Sequence, residues 1–511
     1  MATTTDCMTN PLEGHPAKSE EQVVASTESL VSQPQPGSMR ELLTIAIPMV
    51  ISAGSQSLMH IIDRIYLTWH HVDEVAAALP AGIIFWAVLS IFHGMGSYVN
   101  TFVAQYEGAV RPDRVAATMW QGFYFALISG GLLMLLAPFS AMFFAMVGHD
   151  VDIQRHESTY LSILLLGGVP TVLATILGTF FTGRGKTTVV MFVNVVSVAF
   201  NAVLDYAFIF GWGPIPEMGI AGGALTDVIA NITTCVALGG LLFWPSIASR
   251  YQFWKHHGFD RELTLRMLYY GFPVGLLLLI DVSGWAFFMN AIGWLGKAEQ
   301  VATNLAFNLN TLAFIPVIGL GIAVSTLVGM RITEGRPDLA ARTTWLAVGL
   351  SVGYILFCSG IYLFLPQLLL APYEWKAHGE DFSEVKVVVI QLLWFVAAYS
   401  FFDTLAIVFG SAIRGAGDTR FSMIFTLICV LALLIAPTVI LFGWYKPTLS
   451  MCWAYCSVYI MVMGLGFMFR FLGGKWKSMR VVEPDLVGGG IHASIHTPPV
   501  TVLEVEPISS V

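Results

Sequence analysis

Five aspartates, Asp63, Asp205, Asp227, Asp281 and Asp403, lie within long apolar stretches of a 511-residue chain that is 56% hydrophobic and 11% charged. A carboxylate held at the centre of a bilayer costs roughly 2.5–3.5 kcal/mol even on lenient insertion scales, so such acids usually face a watery cavity and mark a route for ions or protons. Asn194, Ser197, Asn201 and Asp205 follow one another at helical spacing and share one face. Their carboxylate, amides and hydroxyl offer oxygens that can replace the water shell of a proton-carrying site or of a small hard cation. The blander alternative is a hydrogen-bond seam between helices, for which amides alone would suffice.

Other acids have telling neighbours. Pro48 precedes Asp63 on the same apolar run, and because proline removes a backbone hydrogen bond, protonation of Asp63 is expected to couple to bending there. Arg64 follows Asp63 directly. Asp281 comes after Pro273, and Asp403 lies beside Tyr399, Phe401 and Phe402, an acid among aromatic rings that suits a lipophilic cation. Asn304, Asn308 and Thr311 again share one helical face. Asn194, Ser197, Asn304, Asn308 and Tyr399 are therefore the polar residues expected to line a cavity.

Several other patterns lead nowhere. Gly185-Lys186-Thr187 resembles the end of a phosphate-binding loop, but Phe180 stands where its first glycine belongs. His60, His70, His71 and His93 have no consistent ligand spacing and read as interface or loop histidines. The six cysteines show no zinc pattern. No nucleophile, base and acid set stands out, so the chain is not expected to be an enzyme or to need a cofactor.

The elements that must hold these residues are membrane-spanning helices. A mean hydropathy of +0.73 excludes an ordinary soluble domain. Apolar runs of helix-spanning length recur along the chain and give twelve spans at about 41–69, 77–105, 115–147, 157–182, 187–211, 219–246, 266–296, 301–330, 338–371, 382–412, 421–443 and 449–472. Barrel strands would alternate apolar and polar residues over much shorter stretches. Nineteen of the 25 Lys and Arg residues fall in the tails and in loops on one side, so both termini are expected in the cytoplasm of a cell whose inner membrane holds the protein. Residues 1–39 and 474–511 read as disordered tails, and 248–265 as a basic linker. The net charge of −8, spread over tails and loops, implies no nucleic-acid partner.

The chain is also duplicated. Gly94-Met95-Gly96, Asn100-Thr101 and Arg111-Pro112-Asp113 return as Gly319-Leu320-Gly321, Ser325-Thr326 and Arg336-Pro337-Asp338, all at an offset of 225 residues. An even number of spans per half gives parallel repeats, hence two six-helix lobes, 40–247 and 266–473, about an axis along the membrane normal. Two lobes around a central cavity suit alternating access, and one chain suffices, so a monomer is expected.

At this point the residues resemble the multidrug and toxic compound extrusion (MATE) family, bacterial NorM-like members in particular. The resemblance is carried by Ile62-Asp63, the segment from Val103 to Ala116, Asn201-Ala202-Val203-Leu204-Asp205, Gly219 to Thr226, and Arg414 to Thr419. It implies exchange of sodium ions or protons for organic, often cationic, drugs. The family's amino-lobe ion site falls on Asp63, Asn201, Asp205 and Thr226, with Asp63, Asn201 and Asp205 as ligands if the ion is Na+. Its carboxy-lobe acids fall on Asp281 and Asp403, for an ion or the substrate. Where the family usually has glutamate, Asp281 is shorter, and Arg64 and Asp227 add charges of their own. The alternative is a lipid or polysaccharide flippase of the same superfamily, whose cavity would carry cationic side chains. Other basic residues within the spans sit at their loop-facing ends, so Arg64 is the one expected in such a cavity.

Overall fold

In hydrocarbon, backbone N–H and C=O groups find partners only along their own segment, so each long apolar run closes on itself as a helix. The computed structural model describes residues 34–147, 150–374 and 381–483, and among these there are helices and no strands. Eleven helices are long and apolar enough to cross a membrane, and a twelfth span is a bent pair. The first lobe holds α1 (Met39–His70), α2 (Val72–Gly108), α3 (Pro112–Met146), α4, α5 (Thr187–Phe210) and α6 (Ile220–Leu242). In α4, Val151–Leu166 and Gly168–Gly183 meet at an angle of 50°. The second lobe holds α7 (Arg261–Gly293), α8 (Lys297–Thr333), α9 (Pro337–Phe364), α10 (Asp381–Ala416), α11 (Thr419–Trp444) and α12 (Leu449–Leu472).

The repeated motifs fall on equivalent places. Pro112 and Pro337 each sit at the start of a helix, α3 and α9, where a missing N–H costs nothing. Pro48 and Pro273 lie inside α1 and α7, and both helices run on without interruption.

Each lobe has its own apolar core, yet the two chain ends cross over. Leu42, Ile45 and Ala46 at the start of α1 join the core of the second lobe. Val481 and Val482, beyond α12, join the core of the first. The lobes meet along the half of the molecule where α1 begins and α2 ends. There the Tyr98 hydroxyl donates to the Arg414 carbonyl at 3.0 Å, Asn100 Nδ2 to Thr326 Oγ1 at 3.0 Å, and Gln105 Nε2 to the Gly415 carbonyl at 3.1 Å. Arg331 pairs with Glu41 at the same end.

Two glycines make that approach possible. A Cβ on Gly94 would stand 2.7 Å from the Gly275 Cα and 2.9 Å from the Val274 carbonyl, so α2 and α7 touch backbone to backbone. Gly94→Val should therefore force the lobes apart and abolish transport. Gly131→Val, whose Cβ would meet nothing within 4 Å, should leave it unchanged; proteoliposome flux of the two variants checks this.

The tails and linker depart from expectation. Residues 474–483 are ordered rather than disordered: Lys475–Ser478 form a 3-10 turn, and Trp476 is buried with its ring stacked on Phe471. Val481 N donates to Gln105 Oε1 at 2.9 Å, and the Glu483 carboxylate accepts from the Tyr106 hydroxyl and pairs with Arg114 and Arg266. Apolar Trp and Val side chains find a ready groove here, which composition averaged over the tail conceals. At the other end, the Ser38 side chain caps α1. The rest of both expected tails, 1–33 and 484–511, lies outside the described residues. A short helix, Pro245–Tyr251, runs from the first lobe into the linker, which buries Phe253 in the first lobe's core.

Candidate functional site

The polar stripe of α5 divides when neighbouring helices are in place. Asn194 Nδ2 donates to the Ser52 hydroxyl at 2.6 Å, and the Ser197 hydroxyl donates to the Ala230 carbonyl at 3.2 Å while accepting from Thr234. These two residues are a seam joining α5 to α1 and α6, and Ser197 is buried rather than lining a cavity. One turn further along, both polar atoms of the Asn201 side chain are buried without a partner, as are Asp205 Oδ2, Asp63 Oδ1 and Asp227 Oδ1. Asp205 accepts from the Thr226 hydroxyl, and its carboxyl lies within hydrogen-bonding reach of Asp63. Tyr160 of α4 interacts electrostatically with Asp63, Asp205 and Asp227.

Each unsatisfied buried polar atom costs about 1–3 kcal/mol, so unpartnered atoms on Asp63, Asn201, Asp205 and Asp227, whose acids also interact with one another, form a place that a proton or a cation would stabilise. Unpaired oxygens on Asp63, Asn201 and Asp205 are the donor type that sodium requires, and two carboxyls in contact also suit a shared proton. Among the described residues, no three His, Cys, Asp or Glu side chains are spaced to hold a metal ion by themselves, so any ion here depends on the amide and hydroxyl oxygens too. Asp227 makes no ion pair with Arg64, and Arg64 itself pairs with no carboxylate among the described residues.

In the second lobe Asp281 and Asp403 are half-buried and interact with one another, with Arg414 close to Asp281. Arg414, expected in a loop, occupies the last turn of α10, where its guanidinium donates to Ser411 Oγ at 3.2 Å. Arg331 likewise lies within α8, so Arg64 is not alone among basic residues of the spanning helices. Tyr399 lines no cavity: it is fully buried, stacked against Trp453.

Which residues face the space between the lobes follows from helical spacing. On α1, Leu42, Ala46 and Met49 are buried, the first two in the other lobe's core; steps of three or four residues along that stripe lead to Gln56, His60 and Arg64, which are exposed. The opposite, apolar surface of α1 shows Ile47, Ile51, Leu58 and Ile65, as a lipid-facing side should. On α8, Gly319 and Thr326 touch the first lobe, and the same face continues to Thr311, Asn308 and Asn304, all exposed. On α7, Gly271 and Val274 touch α2, and their stripe continues to Asp281 and Trp285. Beyond the joined half, the lobe-facing stripes of α1 and α8 therefore carry exposed polar side chains, as the walls of a cavity between the lobes would.

Two histidines read from sequence as interface or loop residues are placed otherwise. His60 stands on the cavity face of α1, its Nδ1 3.8 Å from Asp63 Oδ2, and His93 lies within α2 beside Thr175. His70, at the end of α1, bridges Glu74 at 2.8 Å and Glu217 at 2.9 Å, tying α1, α2 and the α5–α6 connection together. Sequence spacing carries no sign of that clamp, because Glu217 comes from a distant loop.

Comparison with known proteins gives one consistent result. The family model described as MatE matches residues 48–207 and 273–440. A protein described as "Probable multidrug resistance protein NorM" from Thermotoga maritima is 23% identical over 461 residues, covering 88% of this chain and 95% of that one. Among solved structures, "Crystal structure of MATE in complex with MaL6" superposes with a TM-score of 0.78 at 19% identity, covering 87% of this chain and 98% of the other. "Outward-facing conformation of a multidrug resistance MATE family transporter of the MOP superfamily" gives 0.77 at 19% identity, covering 86% and 97%.

Proposed function

Because the chain belongs to the MatE family, we propose that it is a secondary active antiporter exporting organic compounds, cationic ones among them, in exchange for Na+ or H+ by alternating access. The observation that carries this reading is the set of buried, unpartnered atoms on Asp63, Asn201 and Asp205, in the wall of the lobe rather than on the cavity surface. The multidrug relative supports an organic substrate. With both termini cytoplasmic in the inner membrane, as the basic loops favour, the joined half is the inner half and the cavity opens outward.

In this cycle a compound enters the cavity from the cytoplasm and meets Asp281 and Asp403. After the lobes reorient, an ion or proton from outside occupies Asp63, Asn201, Asp205 and Thr226. Coupling follows if the compound and the ion favour different lobe arrangements, since a ligand shifts an equilibrium only by its differential affinity for the two states. Both ligand sets lie in one chain, so a monomer is sufficient.

The test is efflux from everted vesicles under separate sodium and proton gradients. One of the two should drive saturable flux that reverses when the gradient is reversed. Flux that ignores both gradients and rises without saturation would overturn antiport.

A further inference from the structure

Arg64 is a permanent charge on the cavity face of α1 that neither the ion site nor a cationic substrate uses. It sits on the stripe of α1 that begins at Leu42 and Ala46 in the lobe interface, one turn beyond His60 and two beyond Gln56. Asp63 is its chain neighbour but projects from a different face, toward Asp205 on α5. No described carboxylate forms an ion pair with Arg64, whereas several arginines of the joined half are held in pairs, Arg331 with Glu41 and Glu334, Arg114 with Asp260 and Glu483, Arg470 with Asp418, and Arg184 and Arg420 there lie over aromatic rings. The lobe-facing stripe of α8 carries Asn304, Asn308 and Thr311, whose side chains make no bond to another helix, and that of α7 carries the acid Asp281, with Arg414 close to it.

We infer that Arg64 is a recognition subsite for an acidic group, a carboxylate or sulfonate, on an amphipathic compound held in the cavity. A guanidinium offers five fixed N–H donors that match a carboxylate two at a time, and it stays charged throughout the cycle. The amides of Asn304 and Asn308 supply further donors from the facing wall. With Asp281 across the cavity, the walls carry both signs of charge, so the compounds accepted best are zwitterions: a cationic amine toward the second lobe, an acidic group toward Arg64. The inference rests on the transport reading above and narrows its substrate class.

A matched pair of dyes tests it: rhodamine B, which carries a free carboxylate beside its xanthylium cation, and its ethyl ester, which does not. Proteoliposome flux at a series of dye concentrations should give the wild-type protein a lower KM for the acid than for the ester. Arg64→Gln should raise KM for the acid roughly 10- to 100-fold and change the ester by less than about twofold, while Arg64→Lys keeps most of the preference. Equal losses for both dyes would overturn the subsite and assign Arg64 to folding or coupling. No change for either dye would also overturn it, leaving an interface anchor. Binding of the same dyes to purified protein, followed by fluorescence anisotropy, reads the preference even if neither gradient drives flux, so failure of antiport and failure of the subsite are told apart.

Discussion

Asp205→Asn is expected to abolish gradient-driven transport while leaving the protein folded and able to bind its organic substrate. Asparagine fills the same space and can still accept from the Thr226 hydroxyl, so packing of α5 on α6 is kept. What is lost is the charge that an incoming cation neutralises. Asp63→Asn should act in the same way, because the two carboxyls are within hydrogen-bonding reach and work as one unit. Substrate counterflow without any ion gradient should survive in both variants, whereas uphill efflux should fall to background. If either variant still concentrates substrate under an imposed sodium or proton gradient, the coupling site lies elsewhere.

Glu483→Gln should loosen the joined half of the molecule. Its carboxylate ties Arg114 of the first lobe to Arg266 of the second while accepting from Tyr106, and all three groups are mostly shielded from solvent. Removing the charge sacrifices two charge-assisted bonds, a loss of ~1.5–3 kcal/mol in the strap. Thermal unfolding in detergent should shift downward. A cysteine placed at Val481, buried at 1% exposure in the native chain, should react with an impermeant thiol reagent at least roughly tenfold faster when combined with Glu483→Gln, by the same energy. Equal labelling rates with and without the carboxylate would show that the strap is held by its valines alone.

The strap's response to pH follows from the same contacts. Burial pushes the Glu483 carboxyl up, but the Tyr106 hydroxyl and the Arg114 and Arg266 guanidiniums outweigh it and hold it below the usual glutamate range. A group lowered in the folded state contributes its full stability above its unfolded pKa and loses it as pH falls from there through its folded value. The strap therefore stays intact throughout the neutral range and yields only in distinctly acidic solution.

The span count, the duplication and the acids were legible because each depends on periodicity or composition within a single segment. The fate of the α5 stripe was not. Asn194, Ser197, Asn201 and Asp205 are alike in spacing, yet Ser52, Ala230 and Thr234 satisfy the first two while the last two keep unpaired atoms. That division is decided by neighbouring helices, which a helical face does not name. Tyr399 failed for a related reason: adjacency to Asp403 in sequence leaves it free to turn into the core, where it packs against Trp453. The ordered strap was hidden because a few apolar residues decide its docking, not the polar average of the tail.

The contact between Gly94 and Gly275 gives the molecule an off-centre fulcrum. Gly94 lies 22 residues from the Val72 end of α2 and 14 from Gly108. At ~1.5 Å of rise per residue, the arms on either side are roughly 33 Å and 21 Å long. Tilting one lobe by ~10° about that point would carry the open rim roughly 6 Å while the strapped end separates by roughly 4 Å. The short arm carries the locks and the long arm carries the mouth, so a modest yielding of the locks is geared into a larger closing of the entrance.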